Sequence, residues 1–193
     1  MNKTRKQLLA NQPAPDINTT SISGRPVVLE SLRGSKVLIK FHRFSGCPVA
    51  RHQIDDLLEH QGELDAANVK TIVFLHSTAA KVSPNFQEVP GLHIVADPGK
   101  TYYRKYQSRF SWAKLFSARS WVATFAAFGH RYLPQPTRFG GGIVGVPSDF
   151  IVDENGIVVD LHYGKHFGDS WTAADVLSRL TAAPQPDQNL TRR

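Results

Sequence analysis

Residues 37–50, Val-Leu-Ile-Lys-Phe-His-Arg-Phe-Ser-Gly-Cys-Pro-Val-Ala, constrain the fold more than any other stretch. Val37 to Phe41 reads as a buried strand. His42, Arg43, Phe44 and Ser45 carry the chain to Gly46, and Cys47-Pro48 opens a helix in which Ala50, Ile54, Leu57 and Gln61 share one face. Pro48 suits the first helical turn because its missing N–H would have no partner there, so the Cys47 sulfur meets unpaired backbone donors and the positive end of the helix dipole. Such a site favours thiolate over thiol, and Arg43, an adjacent cation, favours it further. The thiolate is the form that attacks peroxides and disulfides. Two blander readings stand beside this one: a lone cysteine as a small buried hydrophobe, and Arg43 as an edge-strand surface residue.

A second near-continuous apolar run, Thr71 to Leu75, is expected in the sheet interior beside the first, joined through the Cys47 helix as a parallel βαβ unit. That helix should end near Gly62, with Asp55, Asp56, Glu59 and Glu63 on a solvated face. Upstream, Met1 to Asn11 reads as a short helical arm, Ile17–Ile22 and Val27–Leu29 as a hairpin around Ser23-Gly24, and Leu32-Arg33-Gly34 as a turn. Downstream come a weak helix over Thr78–Val89 interrupted by Pro84, a strand over Leu92–Ala96, and Asp97-Pro98-Gly99 capping a helix that starts near Lys100. Phe150–Val152 and Ile157–Leu161 form a hairpin around Asp153-Glu154-Asn155-Gly156, since Asn-Gly adopts positive φ at little cost. Ser170 is expected to cap a final helix that packs through Ala173 or Ala174, Leu177 and Leu180.

Charge is unevenly placed. Of a net +7, the segment between Pro98 and Ser148 carries eight cations and no acid, leaving fifteen cations against sixteen acids elsewhere. Within it Trp121, Phe125, Phe128 and Tyr132 follow at helical spacing, which predicts a basic helix with an aromatic stripe, and Gly140-Gly141-Gly142 a loop. That loop lacks the Gly-Lys-Ser/Thr ending of a phosphate loop, and no nucleotide or nucleic acid is implied. His42 and His52 flank Cys47, but one cysteine without a close acid–histidine cluster does not make a zinc site, so neither metal nor organic cofactor is expected. Cys47 is the sole cysteine, which rules out an intramolecular disulfide framework and fits a reducing compartment. Met1 to Gln12 is polar and basic and no run approaches membrane-spanning length, so a cytoplasmic location is expected.

Phe-x-Arg-x-x-Gly-Cys-Pro between a strand and a helix resembles the peroxiredoxin-like branch of the alkyl hydroperoxide reductase/thiol-specific antioxidant family. Ala14-Pro15-Asp16 with Val28-Leu29-x-x-Leu32-Arg33-Gly34 matches that family's opening segment, and Gly145-Val146-Pro147-Ser148-Asp149-Phe150-Ile151-Val152-Asp153 its proline-loop strand. The resemblance implies an α/β, thioredoxin-like fold: a central mixed sheet of about five strands flanked by helices, with a helical insert before a cis-proline loop at Val146-Pro147. It covers roughly residues 13–182; with the residue pattern this divides the chain into an N-terminal arm at 1–12, a domain at 13–182 with the basic insert at 100–145, and a tail at 183–193 expected to be disordered for its prolines and lack of an apolar run. His162, His166 and Asp169 match a family segment after the last hairpin and are read as structural. Two departures stand out. Relatives carry Cys-Pro-x-Cys where this chain has Cys47-Pro48-Val49-Ala50, and true peroxiredoxins carry Pro-x-x-x-Thr/Ser-x-x-Cys where it has Lys40 and Phe44.

The expected function is therefore an antioxidant thiol oxidoreductase of peroxidase type with a single cysteine. Cys47 and Arg43 would be catalytic, and Pro48, Phe44, Val146 and Pro147 would shape the site. Its partners would be a peroxide and an external thiol reductant, thioredoxin- or glutathione-like, and a homodimer fits the resemblance. The alternative is a non-enzymatic thioredoxin-fold module whose basic aromatic insert binds an anionic partner or a membrane surface.

Overall fold

A computed structural model describes residues 7–108 and 146–181. Among these residues there are eight strands and five α-helices: β1 (Gln12–Pro13), β2 (Asn18–Thr20), β3 (Pro26–Val28), β4 (Lys36–His42), α1 (Pro48–Glu59), α2 (Gln61–Ala66), β5 (Val69–Leu75), α3 (Ala79–Val82), β6 (Leu92–Ala96), α4 (Thr101–Lys105), β7 (Ser148–Val152), β8 (Ile157–Tyr163) and α5 (Ala173–Thr181). Six strands form one mixed sheet in the order β1-β8-β7-β4-β5-β6, and β2 and β3 make a separate hairpin. Strand β4 is central, parallel to β5 and antiparallel to β7.

The run Val37–Phe41 is a strand because both of its faces are covered, and its residues alternate between two cores. Val37, Ile39 and Phe41 join Ile17, Val27, Phe74, Tyr103, Tyr106 and Phe150 on one side. There Phe41 stacks on Phe74 at 4.8 Å and meets the edges of Tyr103 and Phe150 at 4.9 and 5.9 Å. Leu38 joins Ile54, Leu57, Leu64, Val73, Ile151 and Val176 on the other side, under α1, α2 and α5. The expected face of the Cys47 helix, Ala50, Ile54, Leu57 and Gln61, is buried throughout.

Most local expectations hold. The β2–β3 and β7–β8 hairpins form, and Gly156 takes φ +75° in the second turn. Asp97 caps α4, its carboxylate accepting the Thr101 and Tyr102 N–H groups at 2.9 and 2.8 Å. The Tyr103 hydroxyl lies 2.5 Å from the His42 carbonyl and 2.9 Å from that of Phe74, tying α4 to the C-terminal ends of β4 and β5.

The main sheet, six strands among the described residues where about five are expected, includes β1, whose Gln12 and Pro13 pair with Val158 and Ile157. Four expectations are corrected. Residues 7–11 are not helical, because Asn11 donates to the Val158 carbonyl at 2.7 Å and Leu8 packs against the aromatic core. The helix does not stop at Gly62: it breaks at His60 and resumes as α2, which buries Leu64. Asp56 is not merely solvated, since its Oδ2 accepts the Ala173 N–H at 2.7 Å. Thr172, not Ser170, caps α5. Its Oγ1 accepts the Asp175 N–H at 3.1 Å and Asp175 Oδ2 accepts the Thr172 N–H at 2.9 Å, a reciprocal capping box, while Ser170 bonds Asp149. The basic aromatic stripe from Trp121 to Tyr132, the glycine-rich loop and the C-terminal tail lie outside the described residues. No helix among the described residues is long and apolar enough to cross a membrane.

Candidate active site

Cys47 is the N-cap of α1, with Pro48 in the first turn. The turn that delivers it closes through Cys47 N–H to the Phe44 carbonyl at 3.0 Å, and the first helical bond runs from Arg51 N–H to the Cys47 carbonyl at 3.1 Å. The loop is fixed from the side as well, since the Ser45 N–H donates to Ser77 Oγ at 3.0 Å. Cys47 is 1% exposed, and Phe44, Arg43, Val49 and Ser45 are buried around it.

Arg43 is not an edge-strand surface residue. Its Nη1 lies 3.5 Å from Cys47 Sγ and donates to it. Its guanidinium also sits 3.7 Å from the centroid of the Phe167 ring and 5.3 Å from that of Phe44. A delocalised cation that is weakly hydrated and stacks on rings tolerates such a place far better than an ammonium would. The sulfur thus has a positive helix end on one side and a fixed cation on the other.

Val146 and Pro147 are brought to the same end of the sheet, one step beyond the Phe41–Ser148 pair of β4 and β7, and Val146 is buried. The Pro147 carbonyl accepts the Gly164 N–H at 2.9 Å. The Val146–Pro147 peptide is trans, since no cis bond occurs among the described residues, which corrects the expected cis-proline. Trans is the intrinsically favoured isomer, and the expectation of cis rested on family resemblance alone.

Below the loop lies a feature that pattern reading of the run missed. Lys40 and Asp149, opposite each other in the β4–β7 register, are both fully buried, with Nζ 2.9 Å from Oδ1. The ammonium also donates to the Trp171 carbonyl at 2.6 Å, and the carboxylate accepts the Trp171 N–H at 2.9 Å and the Ser170 hydroxyl at 2.8 Å. A lysine inside an apolar run was the available signal, because a buried ammonium requires an acid somewhere in the fold. Phe167 was missed too, since nothing local marks a loop phenylalanine as an arginine's partner.

His42 is buried, with Nε2 lacking a hydrogen-bond partner among the described residues, and burial, then the Lys40 charge, holds its pKa well below the usual value. His162 Nε2 lies 2.7 Å from Asp169 Oδ1, and the His162 ring stacks on Trp171. Burial alone would raise Asp169, but the Lys165 N–H and His162 outweigh it and hold the carboxyl below its ordinary range. Among the described residues no group of three or more His, Cys, Asp or Glu could hold a metal ion.

A buried cysteine at the start of the helix that follows a central strand, on a mixed sheet flanked by helices, defines a thioredoxin-fold thiol protein. The chain belongs to the AhpC/TSA family, whose model matches residues 10–161, and so falls within a class of thiol-dependent oxidoreductases. Its fold is similar to that of a putative thiol:disulfide interchange protein DsbE from Chlorobium tepidum, with a TM-score of 0.58, 19% identity and coverage of 90% of this chain and 96% of that one. A reduced Plasmodium vivax 2-Cys peroxiredoxin matches with a TM-score of 0.60, 14% identity and coverage of 90% and 94%. A cysteine-to-serine mutant of peroxiredoxin 6 of Arenicola marina matches with a TM-score of 0.62, 12% identity and coverage of 90% and 72%. No curated protein matches the chain in sequence.

Proposed function

We propose that the chain is a single-cysteine thiol peroxidase. The observation that carries this reading is the Arg43 guanidinium, which donates at 3.5 Å to the Cys47 sulfur at the N-terminus of α1. The thiolate attacks one oxygen of a peroxide. The S–O bond forms as the O–O bond breaks, and the departing alkoxide or hydroxide takes a proton and leaves as alcohol or water. Cys47 becomes a sulfenic acid. With no second cysteine in the chain, an external thiol attacks that sulfur, water leaves, and a second thiol resolves the mixed disulfide to return the Cys47 thiolate. A thioredoxin- or glutathione-like reductant fits this sequence of steps. Arg43 is the electrostatic partner of the sulfur, and Phe44 stands where a hydroxyl residue would otherwise reach it.

The test is peroxide consumption with an excess of thiol. Cys47→Ser is expected to lose about 10²-fold or more of the rate, the order seen on removing a nucleophile, and dimedone should label the oxidised wild-type protein only at Cys47. Equal rates in the two proteins would end the reading.

A further inference from the structure

We infer that Phe167 is a positioning residue of the Cys47 site, its ring holding the Arg43 guanidinium against the sulfur. The inference deepens the peroxidase reading and rests on it for its bearing on turnover. The guanidinium is closer to Phe167, at 3.7 Å, than to Phe44, at 5.3 Å, while Nη1 reaches Sγ at 3.5 Å. A cation within about 6 Å of a ring centroid is drawn to the ring face, most strongly where water is excluded, and Arg43 and Phe167 are both buried. The attraction matters because an arginine side chain has many rotamers, and a contact to sulfur as long as 3.5 Å restricts them only weakly. A ring above the guanidinium plane does.

Phe167 is itself held in place. The segment that carries it starts at Gly164, bonded to the Pro147 carbonyl, where an added Cβ would lie 2.8 Å from that oxygen and would also collide with the Asp169 carbonyl. Asp169 then ties the segment back, accepting the Lys165 N–H at 2.6 Å and pairing with His162 at 2.7 Å. At its far end both peptide groups of Trp171 are gripped by the buried pair, the N–H by Asp149 and the carbonyl by Lys40. The ion pair beneath the sheet surface thus fixes a strap, the strap fixes a ring, and the ring fixes the charge beside Cys47.

Alkylation of Cys47 by iodoacetamide, an uncharged probe that reacts with the thiolate, tests this on the full chain, with circular dichroism and thermal melting checking that each variant folds. Phe167→Leu is expected to slow alkylation about threefold to thirtyfold. Phe167→Tyr, which keeps a ring, should stay within about twofold of wild type. In an Arg43→Gln background, Phe167→Leu should have no further effect, because the ring acts through the guanidinium. Should Phe167→Leu fail to fold, Phe167→Met carries the same comparison, being flexible and without a ring. Alkylation as fast as wild type or faster in the Leu or Met variant overturns the inference, as does equal slowing with and without Arg43. Peroxide turnover is not the readout, so a protein that alkylates as expected yet consumes no peroxide would end the peroxidase reading and leave the Phe167 assignment standing.

Discussion

Lys40 is the residue whose surroundings say most about this fold. A fully buried ammonium has lost its water, and Asp149 together with the Trp171 carbonyl stands in for it. Lys40→Met leaves Asp149 buried without a counter-ion and is expected to destabilise the protein by about 3–5 kcal/mol. Lys40→Met with Asp149→Asn, which keeps an amide oxygen for the Trp171 N–H, should recover a large part of that loss. Urea denaturation of the two variants measures both, and a single-variant loss below about 1 kcal/mol would show that the pair behaves like a surface one. At this scale the sequence was partly legible. Cys47 at a helix start with Arg43 nearby could be read from spacing, because a strand, a short loop and Pro48 fix where the sulfur emerges. The Asp149 partner and the Phe167 ring could not, because they join positions more than a hundred residues apart that no local periodicity relates.

Helix α5 shows the limit at the level of elements. Its existence follows from the spacing of Ala173, Leu177 and Leu180, but its most buried positions are Ala173 and Val176, and its cap is Thr172, two residues later than the Ser170 that the sequence suggests. Tertiary contact decided between them: Asp149 takes the Ser170 hydroxyl, and Thr172 is left to close a box with Asp175. Thr172→Ala should therefore lower stability by about 1 kcal/mol, read as a lower urea midpoint at unchanged slope, whereas Ser170→Ala should act through Asp149 instead. No loss in Thr172→Ala would mean that Asp56, which bonds the Ala173 N–H from α1, suffices to cap the helix. β6 and the β7–β8 hairpin were legible because their signals are local. β1 was not, because two residues carry no periodicity and its pairing with β8 spans most of the chain.

Across the whole molecule, two covered sheet faces explain both the apolar strands and the titration behaviour expected of the fold. His42, at the end of β4, is buried in a form whose pKa lies well below 6.5. Between the folded and unfolded values the unfolded chain binds a proton there that the folded chain does not. Stability is thus full above about pH 6.5 and falls as the pH drops through the window beneath it, by at most about 1.4 kcal/mol per pH unit for this group. Urea midpoints of wild type and His42→Gln, followed from neutral to mildly acidic pH, should diverge on that side, and parallel curves would show that His42 takes up its proton equally in the folded and unfolded chain. The class of the fold was legible because apolar runs, helix starts and turn residues agree with one another. The buried polar framework was not, and it has a consequence for how the sheet assembles. Side chains on a strand alternate with period two, so sliding β7 by a single residue along β4 would set Lys40 against Phe150 or Ser148 and strand two charges without each other. The Lys40–Asp149 pair is then a register lock, penalising a misaligned sheet at the strand junction on which the Cys47 loop is built.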